Sequence, residues 1–218
     1  IERVADAISN SKTGVVYGFH IKKNESSPSG AVTYLRDAVG ATPAHMDYTN
    51  DAFDYGSWEN AFFMPRPCML KSDGTVDYYL NPNDVSKKED GTASDIGDAS
   101  YDGNAMVEWG QNGKKIWLKV VPDVDNLGAS VYIADYQADA DFHDYPFHNA
   151  AGQSMDHFYT AMFRGHLDSN NKLRSLSGKA VMKTKPAADE VTYAKANNPA
   201  GKQMWNIDLH SDLFLINC

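Results

Sequence analysis

Cysteine is scarce in this chain, with Cys68 and Cys218 the two copies, so a disulfide framework is excluded and one bridge is the most the sequence allows. Two such distant thiols specify no pairing, and they read as one buried thiol and one terminal thiol. No apolar run approaches the roughly 20 residues of a membrane span. The opening "IERVADAISN" has neither an initiator Met nor the build of a signal peptide. Cations are few: Lys and Arg total 20 against 29 Asp and Glu, for a net charge of -9. They come as scattered doublets (Lys22–Lys23, Lys87–Lys88, Lys114–Lys115) and not as one patch. That sets aside nucleic acid and disfavours an anionic membrane as partners. Catalytic signatures are missing too: no G-x-S-x-G, no phosphate-binding glycine loop, no H-E-x-x-H and no paired C-x-x-C.

What is present suits a folded chain. Its 218 residues, 42% hydrophobic and 22% charged, support a core without covalent staples. Residues 1–13 read as a helix or stalk, because Ile1, Val4, Ala5 and Ile8 fall on one face before Ser9, Asn10, Ser11 and Gly14. Residues 14–218 read as one β-rich, loop-heavy domain. The end "WNIDLHSDLFLINC" stops inside an apolar stretch, so the reading expects both termini to be cut and further chain beyond Cys218. The expected class is α+β, dominated by short antiparallel strands and long loops.

Strand signals begin at "GVVYGFHI", while "AVTYLRDAV" fits strand or helix. "DGTVDYYL" is a turn followed by a strand, and "NPNDVSKKEDGTASDIGDASYDGN" reads as loop with at most one helical turn. "AMVEWG" and "KKIWLKVVP" are predicted to form a hairpin across Asn112-Gly113. In the second of them Ile116, Leu118 and Val120 should share one face, opposite Lys115, Trp117 and Lys119. "ASVYIADYQ" is a further strand, "KLRSLSGKAV" a strand and turn, and "DEVTYAKANN" opens a short helix.

The densest set of potential ligands is "DADFHDYPFH": Asp139, Asp141, His143, Asp144 and His148, with Asp156 and His157 close behind. Alternate carboxylates suit Ca²⁺ and mixed His–carboxylate sets suit transition metals, but the glycine and terminal glutamate of an EF-hand are missing. The reading therefore favours solvated carboxylates and packed histidines, with no cofactor assigned and Ca²⁺ kept as the alternative. Asp139, Asp141, His143, Asp144 and His148 stay as speculative ligand-binding residues, with no catalytic residue and no metal ligand assigned. Asp47/Asp51/Asp54 and Glu89/Asp90/Asp95/Asp98 are other acidic groups of the kind a glycosidase would converge in a cleft. Tyr48, Phe53, Tyr55, Trp58, Tyr101, Tyr136 and Tyr145 lie in polar contexts, where rings serve sugar-stacking and protein-binding faces or cap a small core.

Four long strings, "GVVYGFHI…SPSGAVTYLRDAVGATPAHMDY", "GSWENAFFMPRPCMLKSDGTVDYYLNPNDVSKKEDGTASDI", "NAMVEWGQNGKKIWLKV" and "KLRSLSGKA", resemble phage and prophage tail-associated proteins of Firmicutes-type bacteria. Such proteins carry this block leading into a C-type-lectin-like domain. The resemblance covers most of residues 14–218. It implies a C-type-lectin-like arrangement and a virion component at the tail tip or fibre, extracellular and non-catalytic, that acts in host adsorption. Its implied partners are other virion proteins and a host-surface glycan or protein, with assembly as a trimer. No family binding residue maps onto a matching position here. The alternatives are a structural virion piece such as a collar, baseplate or head fibre, and a virion-borne glycan-degrading enzyme using carboxylates such as Asp139 and Asp144.

Overall fold

The structure is a computed structural model that describes residues 14–50, 52–110, 114–149 and 152–200. The expected helix at residues 1–13, the Asn112-Gly113 turn, Asp51 and the segment through Cys218 lie outside the described residues. The described chain is mostly antiparallel β-sheet with two short helices. In order it runs β1 (Val16–Lys22), α1 (Pro28–Ala31), β2 (Val32–Arg36), β3 (His45–Asp47), β4 (Ala52–Asp54), β5 (Arg66–Lys71), β6 (Val76–Asn81) and β7 (Asp84–Lys88). There follow β8 (Gly103–Trp109), β9 (Trp117–Pro122), β10 (Gly128–Ala134), β11 (Phe158–Ala161), β12 (His166–Leu167), β13 (Leu173–Arg174) and α2 (Ala187–Lys195). Among the described residues no helix is long and apolar enough to cross a membrane. Contacts divide the chain into two compact units, each drawn from two separated stretches.

The first unit takes its described residues from Ile1–Met64 and Asn112–Asp156. Its sheet has the order β2-β1-β10-β9. Register puts Phe19 opposite Tyr34 on one side and Val131 on the other, with Val120 beyond, so apolar side chains line one face in rows. On the reverse face the Tyr132 ring lies across Gly18, where a Cβ would come within 2.8 Å of it. A side chain at that mid-strand position would displace the ring. The β9–β10 turn closes with Asp123 N–H donating to the Gly128 carbonyl at 3.0 Å, and Asn126 takes the left-handed conformation (φ 57) that Asn tolerates.

The second unit takes its described residues from Pro65–Gln111 and His157–Cys218, with sheet order β11-β8-β5-β6-β7. Asp73 and Gly74 turn β5 into β6: Thr75 N–H donates to Asp73 Oδ1 at 2.9 Å and Gly74 adopts φ 85. The sheet is buried on both faces. Met69, Leu80, Ile96, Ala105 and Leu176 form one cluster, and Cys68, Leu70 and Met106 form the other. Helix α2 starts after Pro186, carries Asp189 and Glu190 in its first turn and ends at Lys195, charges that complement its dipole.

Three expectations are corrected. Strands β8 and β9, expected to pair across Asn112-Gly113, belong to different sheets. Strand β8 has both edges occupied, by β5 and β11, and β9 pairs with β10 instead. Long-range pairing has overridden the local turn signal. The stretch read as loop contains strand β7, which pairs with β6 across a register shift at Leu80/Asn81 that disguises its alternation. The inward–outward alternation of β9 is also overridden: Ile116 is 1% exposed but Val120 is 42% exposed, so burial falls along the strand and not across it. The ambiguous "AVTYLRDAV" is strand β2, and "KLRSLSGKAV" is strand β13 and a turn with Gly178 at φ 70.

Candidate functional site

The acidic loop 139–148 docks against the edge of β9, where Leu118 and His143 exchange backbone hydrogen bonds at 2.9 and 3.0 Å. The docking sends its carboxylates to lysines. Lys119 Nζ meets Asp139 Oδ2 at 2.9 Å and Asp141 Oδ2 at 3.0 Å. The paired Lys119 ammonium and the Asp141 N–H hold the Asp139 carboxyl below its ordinary range. Lys115 Nζ meets Asp144 Oδ2 at 3.2 Å and also donates to Ser154 Oγ. His148 Nδ1 stands 3.6 Å from Asp144 Oδ1, and the His143 ring stacks on Tyr145 with centroids 4.8 Å apart. The five residues therefore split into two lysine-centred ion pairs and one ring pair. Among the described residues no three His, Cys, Asp or Glu side chains gather as a metal set.

The Lys115–Ser154 contact brings a hydroxyl to an amine, but chemistry at Ser154 needs a neutral amine to take its proton. Lys115 Nζ instead donates, to Ser154 Oγ and to the Asp144 carboxylate. The set is an anchor for the loop. The other acidic groups are equally local. Asp54 caps Gly56, Asp90 caps Thr92 and Asp98 caps Ser100, while Asp95 pairs with the Tyr78 hydroxyl and Glu89 with Arg66. The open concavity of about 500 Å³ at the β9–β10 turn is lined by Pro122, Asp123, Val124 and Asp125, and there His20 Nε2 pairs with Asp123 at 2.9 Å. It belongs to a single turn.

In the second unit the structure assembles a buried polar set that sequence reasoning missed. Glu108 is 6% exposed and accepts from the Tyr159 hydroxyl at 2.8 Å and the Tyr79 hydroxyl at 3.1 Å. The Arg66 guanidinium lies 3.3 Å from the Tyr79 ring centroid. Burial, then the Glu108 charge, pushes the Cys68 thiol up to about 12, which leaves it neutral and a poor nucleophile. One sequence signal was available. Glu108 interrupts the apolar run Ala105, Met106, Val107 and Trp109 in "NAMVEW", a strand position where an unpaired buried carboxylate could not stay.

The aromatic residues separate into two kinds. Tyr101 packs on the second unit's core with its hydroxyl on Asp77, and Tyr136 covers Gly14. In the first unit Trp58 contacts Tyr17 at 5.2 Å, Tyr34 at 5.8 Å and Phe63 at 6.0 Å, and Phe62 packs on Tyr17 and Phe63. Centroid spacings of 4.5–7 Å are those of favourable ring pairs. This half-buried cluster follows directly on the β3–β4 hairpin. The hairpin itself holds rings in water: Tyr48 is 89% exposed, Phe53 53% and Tyr55 37%, with Phe53 and Tyr55 edge-to-face at 4.9 Å. Pairing of Met46 with Phe53 and of His45 with Asp54 places Phe53 and the charges on opposite faces of the ribbon. At the tip, Asp47 accepts from the Asn50 amide at 2.7 Å and from the Thr49 N–H at 2.9 Å. These bonds hold the Asp47 carboxyl below its ordinary range, led by the Asn50 side chain. Such exposed rings can stack on a flat partner.

No family model matches the chain, and no curated protein and no solved structure matches it.

Proposed function

We propose that this chain is a non-catalytic recognition module of a phage virion, at the tail tip or on a fibre, that adsorbs to the host cell surface. The observation that carries this reading is the β3–β4 hairpin, where the Tyr48 and Phe53 rings, and Tyr55 just after it, stand in solvent. Rigid aromatic side chains held in water gain free energy when a partner covers them and lose few rotamers in doing so. The partner is a glycan or protein of the host surface, with other virion proteins holding the module in place. A chain with net charge -9 suits neither nucleic acid nor an anionic membrane. The likeness of its long strings to tail-associated proteins supports the virion and extracellular setting, a homotrimer and a C-type-lectin-like arrangement.

The test is binding of labelled full chain to intact Firmicutes-type host cells. Saturable binding that weakens on Tyr48→Ala supports the proposal. No cell binding, with retention by other virion proteins alone, would make it a structural piece such as a collar, baseplate or head fibre. Release of reducing ends from wall polysaccharide would make it a glycan-degrading enzyme. Light scattering of a monomer at micromolar concentration would remove the trimer.

A further inference from the structure

We infer that the free edge of strand β2 is a self-association surface, where two copies of this chain pair β2 with β2 antiparallel across a two-fold axis at Tyr34. This pairing goes beyond the adsorption reading and does not depend on it.

The phase of the ladder decides which backbone groups of β2 face outward. The Lys23 N–H donates to the Leu127 carbonyl at 2.7 Å, so Tyr17, Phe19 and Ile21 bond to β10, while Val16, Gly18 and His20 bond to β2. The Asp37 N–H donates to the Val16 carbonyl at 3.1 Å, which gives the same phase from the other strand. Gly18 opposite Leu35 and His20 opposite Thr33 are therefore the bonded pairs. Val32, Tyr34 and Arg36 then turn their N–H and C=O groups away from the sheet, at the edge that β2 forms in the order β2-β1-β10-β9. Two of these groups are satisfied within the chain. The Pro28 carbonyl takes the Val32 N–H at the end of α1, and the Val39 N–H donates to the Arg36 carbonyl at 3.1 Å. The Tyr34 N–H, the Tyr34 carbonyl, the Arg36 N–H and the Val32 carbonyl have no partner among the described residues.

That remainder complements itself. A bonded antiparallel pair exchanges two N–H···O bonds, and the next bonded pairs lie two residues away on either side. With Tyr34 opposite its own copy, the two tyrosines exchange both bonds, and Arg36 stands opposite Val32 of the second copy. There the Arg36 N–H meets the Val32 carbonyl. The return bond, from the Val32 N–H to the Arg36 carbonyl, is the one whose two groups the chain has already used. A strand of unrelated sequence would bring a carbonyl to the occupied Val32 N–H and an N–H to the occupied Arg36 carbonyl. The side chains agree: Tyr34 meets Tyr34, Thr33 meets Leu35 and Val32 meets Arg36, so a chain of net charge -9 sets no like charges opposite each other here.

The other edge of the same sheet is guarded. Pro122 ends β9 without an N–H to give, and the Leu118–His143 backbone bonds occupy β9 with the loop 139–148. Strand β2 has no proline, no lysine and no register shift. A ladder of five residues buries well under the roughly 800 Å² per partner of a standard interface, so pairing belongs at micromolar concentrations and above.

The experiment is sedimentation velocity of the full chain from micromolar to near-millimolar concentration, with cross-linking to read the register. A rise from the mass of one chain to that of two is expected. Tyr34→Pro removes the outward N–H and leaves the bonds to β1, so the dissociation constant should rise at least about thirtyfold, the worth of the two central bonds. Tyr34→Ala loses the same ring but keeps the N–H, and should stay within about fivefold of the parent. Equal melting curves for the two variants show that the proline strand folds, and cross-linking decides alone where they differ. In a Cys218→Ser background, Tyr34→Cys should give a covalent dimer on mild oxidation. Opposite Cα atoms of a bonded pair lie about 5.5 Å apart, within disulfide reach, and Cys68 is buried. Val124→Cys, exposed at the β9–β10 turn, should not. The mass of one chain at every concentration, a dimer that a folded Tyr34→Pro leaves intact, or cross-linking at Val124 as readily as at Tyr34 would each overturn the inference.

Mass and cell binding together separate this pairing from the adsorption reading. Cell binding by a chain that stays monomeric keeps adsorption and overturns the pairing. A Tyr34-dependent dimer without cell binding keeps the pairing and overturns adsorption. A trimer indifferent to Tyr34→Pro overturns the pairing, and a hexamer that Tyr34→Pro splits into trimers supports it.

Discussion

In the second unit Arg174 is 7% exposed, and its guanidinium donates to the Tyr101 carbonyl at 2.6 Å, to the Gly103 carbonyl at 2.5 Å and to Asp168 at 3.3 Å. In the first unit the chemically distinctive groups are rings, and those on the β3–β4 hairpin are in water. One unit takes polar groups inside and pairs most of them there, with Asn104 Nδ2 and Asn197 Oδ1 left without a partner among the described residues. The other leaves aromatic surface outside, unsatisfied. Buried polar sets fix a unique structure at a cost in desolvation, and exposed rings store binding free energy at little cost in stability. The comparison teaches where to look for each property: stability in the second unit, recognition in the first.

The sharpest way to break the comparison is Arg174→Ala. It leaves the Tyr101 and Gly103 carbonyls without their guanidinium donor in a buried site, while Asp168 keeps the N–H groups of Asn170 and Lys172, so a loss of about 3 kcal/mol is expected in urea or guanidinium unfolding. If the loss is no larger than that of a surface substitution, the second unit does not hold its fold through this set. Alkaline pH tests the same unit next. Burial first, then hydrogen bonding and charge at Glu108 or Asp95, raises the hydroxyls of Tyr78, Tyr79 and Tyr159 above their ordinary 10.0, Tyr78 to about 12. Cys68 rises from 9.0 to about 12. Folded values above unfolded ones mean stabilisation that is complete below about pH 9 and lost as pH climbs towards 12. Tyrosinate absorbance should rise together with loss of near-ultraviolet circular dichroism in that window. Ionisation that precedes unfolding would mean these hydroxyls are open to water.

Trp58→Ala probes the first unit. Trp58 is half-buried and touches three rings, so about 2 kcal/mol is expected, roughly half the cost of emptying a fully buried tryptophan site. A loss equal to that of Arg174→Ala would erase the distinction between the units. Lys119→Ala comes below it. Its ammonium pairs with Asp139 and Asp141, whose side chains are open to solvent, so the effect should stay under about 1 kcal/mol and shrink with salt. EDTA should leave Tm unchanged, since lysines already neutralise these carboxylates. A downward shift with EDTA would place a cation on the loop.

Much of the fold was legible in particular strings. "GVVYGFHI", "DGTVDYYL", "NAMVEW" and "ASVYIADYQ" became β1, β6, β8 and β10 because β-branched and aromatic runs with clean breaks have few other solutions. What misled was partner choice. Asn112-Gly113 has the local chemistry of a hairpin, yet β8 lies between β5 and β11, a fact of long-range pairing that no local window contains. Strand β7 hid in a polar stretch because an edge strand with a register shift need not alternate. At the site, "DADFHDYPFH" drew notice by density of ligand types, but Lys115 and Lys119, some 20 to 30 positions upstream, decide what those carboxylates do. The exposed rings at Tyr48, Phe53 and Tyr55 were nameable in sequence. Their exposure was not, because burial is decided by which side chains the fold brings alongside, as it brings Trp58 and Phe63 to Tyr17 and none of the three to that cluster's ring pairs.

The smallest expected effect on stability carries the most weight for function. Tyr48 is at a turn tip with its ring in water, so Tyr48→Ala removes almost no buried area, and a change within about 0.5 kcal/mol is expected on unfolding. The same substitution should cost about tenfold in binding if the ring is a contact surface. A residue that matters to folding shows both losses and a residue that matters to neither shows none. Loss of binding alone, with the unfolding midpoint held, is the signature of a side chain kept outside for a partner. Were Tyr48→Ala to lower the midpoint by as much as Trp58→Ala, the ring would be packing on the unit it comes from, and the division between a unit that stabilises and a unit that recognises would fail at its most exposed point.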